Sequence, residues 1–234
     1  MTDLMVASQP AELARQAAGW LEAEVSNAIA ERGSCALALA GGRTPDPVYR
    51  ELASRSSIDW RKVNVFFGDE RAVPPEHPDS NYRMVDLALL SRVPIPPSQV
   101  HRMEAERSDR EAAAREYERL LPPRLDVLVL GMGADGHTVS LFPGSPALDE
   151  RRRLVVPVVG TTPPAERLTI TPPVIEAARK VAVIATGDDK ATMVARAIEG
   201  PFAPTAVPVQ LARWGVWFLD QAAAARLTTR RVAT

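Results

Sequence analysis

The sequence predicts an α/β fold built on an open, mostly parallel sheet flanked by helices on both faces. Three observations carry that prediction. Four short apolar runs, at residues 35–40, 63–67, 125–130 and 181–186, have strand length and no polar alternation, as strands covered on both faces require. Each run ends in a glycine-led polar loop, and segments with apolar residues at helical spacing separate the runs. A chain of 234 residues with 46% hydrophobic content is within reach of one large domain, so residues 1–234 read as a single doubly wound, Rossmann-like unit.

Each element follows from local chemistry. Leu13, Ala17, Leu21, Val25, Ala28 and Ile29 recur at helical spacing from Pro10 to Arg32, and Gly33 ends that helix. The strand at 35–40 leads into GGRTP. The helix at 45–54 that follows takes Thr44 as N-cap and Pro45 as its first residue. VNVFF at 63–67 is a strand followed by a GDER loop at 68–71. Helices are expected over about 80–90, 109–121 and 173–179. Further strands are expected at 154–159 and 214–219, and a helix runs to Ile198 after GDDK. The 21 prolines fall in short connections, too brief for a disordered linker.

Composition excludes several classes. The formal charge of −1, without a long run of one sign, gives no bulk attraction to nucleic acid or an anionic membrane. No apolar run approaches the roughly 18 residues a membrane span needs. The opening MTDLMVASQPAELARQ lacks a basic segment ahead of an apolar one and does not read as a signal peptide. The single cysteine, Cys35, lies in an apolar run and reads as a buried thiol; a cytoplasmic setting is expected. The three histidines are scattered, with no CxxC or HExxH pattern, and make a poor metal set.

In an open parallel sheet, ligands bind outside the carboxyl ends of the strands. The four polar loops would gather Gly42, Arg43, Thr44, Asp69, Glu70, Arg71, Asp135, His137 and Lys190 at that edge. GGRTP enters a helix N-terminus, where free N–H groups and the helix dipole favour an anion. It lacks the spacing of a P-loop. GMGADG matches a dinucleotide pattern, but it falls at mid-chain and runs into His137. His137 is the strongest catalytic candidate, since an imidazole can accept a proton near neutral pH. Its orienting acid is open among Asp135, Asp69 and Glu70. Ser140 lacks the surrounding elbow of a serine nucleophile. His77 and His101 sit among prolines and charges and are expected to be exposed.

Taken together, LALAGGRTPDPVYREL, VNVFFGDERAVPPEHPDSNYRM, LDVLVLGMGADGHTVSLFPG, PPAERLTIT, ATGDDKA and WGVWFLD resemble the glucosamine-6-phosphate isomerase/6-phosphogluconolactonase family, and within it the lactonases. The stretches occur in family order over nearly the whole chain. The resemblance implies the sugar-phosphate isomerase/lactonase type of α/β fold and hydrolysis of 6-phospho-D-glucono-1,5-lactone in the oxidative pentose phosphate pathway. It implies no required metal or organic cofactor and a small sugar phosphate as the partner; separately, a monomer or weak homo-oligomer is expected. By motif, His137 would activate water and Arg71 would lie near the lactone. Gly41, Gly42, Arg43, Thr44, Arg167 and Lys190 would contact or flank the phosphate. Asp69 and Asp135 match acidic positions that the related deaminase uses.

Three positions depart from the family pattern. Arg43 stands where serine is frequent, and Thr162 where many members carry a lysine; Arg43 is expected to supply the missing charge. Val139 replaces a usual alanine and is expected to be harmless. DER and SLFPG favour the lactonase over the deaminase, whose motifs read DEY and NEPG. A sugar-phosphate sensor usually adds a DNA-binding segment, for which this chain has no spare length.

Overall fold

The apolar stripe of α1 (Pro10–Arg32) becomes a buried face of Leu13, Ala14, Ala17, Ala18, Leu21, Val25 and Ala28. Gly33 closes it in a left-handed conformation, its N–H donating to Ile29. The computed structural model describes residues 2–228. In chain order α1 is preceded by β1 (Asp3–Ala7) and followed by β2 (Cys35–Leu39), α2 (Asp46–Ala53), β3 (Val63–Phe67), β4 (Asp69–Arg71), α3 (Asn81–Ala88) and α4 (Arg110–Leu120). Then come β5 (Val127–Gly131), β6 (Val155–Val159), β7 (Glu166–Ile170), α5 (Pro172–Ala177), β8 (Lys180–Ala185), α6 (Ala191–Glu199) and β9 (Val216–Asp220).

Six strands form a parallel sheet in the order β1-β9-β8-β5-β2-β3. The fully buried run Val127–Leu130 occupies its centre, where only an apolar strand can sit between covered faces. From β2 the chain moves outward to β3, whereas β5 leads to β8 on the other side. The strand order therefore reverses between β2 and β5, and the loops leaving these two strands diverge around a crevice. Two buried tyrosines lock the strand ends beside it. The Tyr49 hydroxyl bonds both backbone groups of Ala40, and Tyr117 does the same for Phe67. Burial raises both phenols well above their ordinary value.

Three strands differ from expectation. Asp69–Arg71 is not a loop but a strand, β4, in a second, antiparallel sheet of order β4-β7-β6. Gly68 is the crossover: its N–H donates to Leu39 of the first sheet and its carbonyl accepts from Ile170 of the second. The three charged residues of β4 carry no apolar periodicity, and β7 mixes charged and apolar residues, so pairing rather than propensity makes them strands. β1 is a short edge strand fixed by its parallel register with β9, from Asp3 opposite Val216 to Ala7 opposite Asp220. His101 is also not exposed. Its ring stacks on Phe66 at 4.6 Å, bonds Asn64 at 3.2 Å, and is pushed by burial below the ordinary histidine value. Cys35 is fully buried, and desolvation raises its thiol to about 12.

Glu70 is the least expected core residue. At 2% exposure its carboxylate accepts the backbone N–H groups of Arg71, Asn81 and Tyr82, each at 2.8 Å, and the Ser80 hydroxyl at 3.1 Å. It thereby satisfies the free N–H groups at the start of α3 and ties that helix to β4. Glu70→Ala removes the acceptor of four donors, the N–H groups of Arg71, Asn81 and Tyr82 and the Ser80 hydroxyl, at about 1–3 kcal/mol for each that stays buried. Thermal melting should show Tm lowered by about 10 °C, at the roughly 2–4 °C per kcal/mol expected for this chain length. Burial outweighs these bonds and raises the carboxyl above its ordinary 4.5. A raised acid favours the folded state most when protonated, so its contribution declines as pH rises from 4.5 through the folded value. That part of the pH–stability slope should vanish in the alanine variant.

Candidate active site

The crevice at the strand-order reversal is a cleft of about 280 Å³. Gly41, Gly42, Arg43 and Thr44 line it from the β2 side, and Gly133, His137 and Val139 from the β5 side. β4 contributes Asp69 and Arg71, β7 contributes Arg167, and the turn before α6 contributes Lys190. Of the expected site residues, Asp135 and Glu70 do not line the cleft. Asp135 stands behind His137, and Glu70 anchors α3.

The β5 loop is shaped around the imidazole. His137 Nδ1 lies 2.5 Å from Asp135 Oδ1, and that same oxygen accepts the His137 backbone N–H at 3.1 Å. A carboxylate on Nδ1 fixes the proton there and leaves Nε2 with the lone pair. Gly133 is required by close approach: a Cβ there would lie 2.2 Å from the His137 ring. The other side of the imidazole meets Phe142, with ring centroids 4.7 Å apart.

Val139 adopts φ +46°, a left-handed conformation that is strained for a β-branched residue. Thr138 Oγ1 bonds Gly131, the Leu141 N–H bonds Thr138, and the Ser140 hydroxyl bonds Asp69 at 2.6 Å. Ser140 is fully buried and its hydroxyl is committed to that carboxylate, which leaves it unsuited to nucleophilic attack.

The β2 loop differs in one detail from expectation. Thr44 does not cap α2. Pro45 takes the cap position in an already helical conformation, and no side chain caps the helix. Thr44 Oγ1 instead lies 3.4 Å from Thr186 Oγ1, which draws the Lys190 turn against GGRT. Lys190 Nζ donates to Thr186 O at 3.2 Å and to Asp189 at 3.3 Å. Arg43 is exposed. Among the described residues, the N–H groups of Gly42, Arg43 and Thr44 donate to no backbone carbonyl. The loop therefore presents free donors beside two cations, a combination suited to an anion.

Arg167 is 5% exposed and stands opposite Arg71 in the β4–β7 register. Its guanidinium lies 5.5 Å over Phe142 and donates to the carbonyls of Pro164 and Thr162 and to the Thr162 hydroxyl. Burial lowers its affinity for the proton, partly offset by Asp69, yet an arginine remains charged. Thr162 thus holds Arg167 in place. The side chains missed in the sequence are Asn81 and Phe142. Both lie within quoted motifs, SNYRM and SLFPG, but neither residue type announces a role on its own.

A larger hollow of about 480 Å³ lies between α3 and α4, walled by Tyr82, His101, Arg102 and Glu116. Its arginines are already paired, Arg102 with Glu106 at 2.7 Å and Arg107 with Glu116, so it offers no free cation to a phosphate. Among the described residues, no cluster of His, Cys, Asp or Glu is arranged to hold a metal ion, and no helix is long and apolar enough to cross a membrane.

Known proteins share this architecture and sequence. A family model for glucosamine-6-phosphate isomerases/6-phosphogluconolactonase matches residues 8–217. A 6-phosphogluconolactonase of Synechocystis sp. is 42% identical over 220 residues, covering 87% of this chain and 89% of that protein. A 6-phosphogluconolactonase of Streptomyces coelicolor is 40% identical over 237 residues, covering 92% and 90%. The solved structure of 6-phosphogluconolactonase from Trypanosoma brucei superimposes with a TM-score of 0.87 at 30% identity, covering 97% of this chain and 99% of that one. A monomeric glucosamine-6-phosphate deaminase shares the fold, with a TM-score of 0.82 at 22% identity. A match that runs from the segment before α1 into β9 takes in both loops of the cleft, so the chain belongs to the glucosamine-6-phosphate isomerase/6-phosphogluconolactonase family.

Proposed function

We propose that this chain hydrolyses 6-phospho-D-glucono-1,5-lactone to 6-phosphogluconate in the oxidative pentose phosphate pathway, as a cytoplasmic enzyme. One observation carries the reading: an imidazole held by a carboxylate at 2.5 Å faces the same small cleft as Arg43, Arg71, Arg167 and Lys190. The cations suit a phosphate, and the dyad suits an electrophile that needs only water. Shared family and names of relatives support the substrate.

A δ-lactone carbonyl is already electrophilic, so one base, one water and a donor for the tetrahedral oxyanion suffice. The phosphate binds at GGRT, Lys190 and Arg167 and brings C1 toward His137. His137 Nε2 removes a proton from water as its oxygen bonds to C1. Asp135 stabilises the imidazolium. As the tetrahedral intermediate collapses, the C1–ring oxygen bond breaks and the imidazolium returns its proton to that oxygen. The product acid then ionises. Arg71, positioned by β4, donates to the oxyanion.

The test is the rate of opening of freshly generated 6-phosphogluconolactone, measured against its spontaneous hydrolysis. Acceleration proportional to enzyme concentration is expected. Ammonia release from glucosamine 6-phosphate without lactone hydrolysis would replace this reading with that of a deaminase.

A further inference from the structure

β4 carries an anion and a cation two residues apart, Asp69 and Arg71, so both side chains leave the same face of the strand. Opposite charges so placed close on each other unless something separates them. Here Asn81, 1% exposed at the start of α3, stands between them. Its Nδ2 donates to Asp69 Oδ1 at 3.0 Å and to the Asp69 carbonyl at 2.8 Å, while its Oδ1 accepts Arg71 Nη1 at 2.5 Å. A carboxamide can accept from a cation on one arm and donate to an anion on the other, and these partners fix which way it faces. Its backbone N–H is tied to Glu70 at 2.8 Å. From the opposite side it fills the space over Gly41, where a Cβ would lie 1.7 Å from Asn81 Oδ1.

The two charges it separates are otherwise incompletely committed. Asp69 accepts the Ser140 hydroxyl at 2.6 Å, and Arg71 Nη1 also donates to the Asp79 carbonyl at 2.9 Å. Arg71 Nε is buried without a partner. We infer that Asn81 is a positioning residue that keeps Asp69 and Arg71 from neutralising each other and so holds the Arg71 guanidinium available to the substrate. The inference rests on the lactone-hydrolase reading. Without the amide, Asp69 takes Arg71 as its counter-ion and the donors turned to the cleft are spent on the carboxylate.

The experiment is a double-mutant cycle read by calorimetric affinity for 6-phosphogluconate, whose new carboxylate occupies the lactone end. Asn81→Ala should weaken binding at least tenfold. Asp69→Asn by itself removes a nearby negative charge and strengthens binding of an anion to some degree. In the Asn81→Ala background its gain should be at least fivefold larger, because it also releases Arg71. Asn81→Ser repeats the cycle should the alanine protein fail to fold, and Tm is recorded for every variant. A purely structural asparagine would lower Tm and leave the cycle additive. Unchanged affinity in the Asn81 variants, or equal gains from Asp69→Asn in both backgrounds, overturns the inference. A wild-type protein that neither accelerates lactone opening nor binds the product overturns the functional reading itself, and this inference with it.

Discussion

His137→Ala lowers kcat about 10²–10⁴-fold and leaves KM within a few-fold of wild type. The range is what a positioned general base typically contributes. The split follows from geometry: the cations that suit the phosphate stand on other loops and strands, so ground-state binding survives loss of the imidazole. The fold should survive too, because the side chain is 30% exposed and packs on Gly133 and Phe142 rather than in the main core. Asp135→Asn should cost less, since an asparagine oxygen can still accept from Nδ1 but brings no charge to stabilise the imidazolium. Initial rates corrected for spontaneous opening measure both. A kcat for His137→Ala within tenfold of wild type would mean that another group activates the water.

Much of this arrangement is legible in the sequence. The parallel sheet followed from apolar runs such as Leu128 to Leu130, because burial on both faces leaves no polar position to disguise the strand. The gathering of GGRT and GMGADGH at one edge followed from the same strands. The second sheet was not legible. Asp69, Glu70 and Arg71 form a strand because Thr169, Leu168 and Arg167 lie opposite them, and nothing local to DER says so. Glu70 reads as a site acid from its place in DER, but its oxygens are occupied by the N-terminus of α3. Asn81, within the expected helix at 80–90, carries no local signal that it stands between two charges. Asp135 was one of three possible partners for His137, and only the tight 133–137 turn, closed by the Gly133 N–H on the His137 carbonyl at 2.9 Å, turns its carboxylate onto the ring.

Arg71→Met should lower kcat about 10²–10³-fold, the effect of removing one donor of about 2.7–4 kcal/mol to a tetrahedral oxyanion. Two sources could supply that donor: backbone amides of the glycine loop, or Arg71. The loop has already spent several of its amides. Gly133 N–H bonds the His137 carbonyl, Gly136 N–H bonds Gly133, and His137 N–H bonds Asp135. Arg71, by contrast, lines the cleft, is held on Nη1 by Asp79 and Asn81, and among the described residues gives no hydrogen bond from Nη2. A guanidinium fixed in this way aims its remaining donors with little reorganisation, and donors pre-set where charge develops act on kcat rather than on KM. Arg71→Lys should recover only part of the loss, because an ammonium has neither the planar fork nor the reach to keep both acceptors while serving a third. If Arg71→Met instead raises KM and spares kcat, Arg71 holds the ground-state sugar and the oxyanion falls to the remaining loop amides. Steady-state kinetics on the two variants separates these outcomes, since only a donor to the transition state lowers kcat and kcat/KM together.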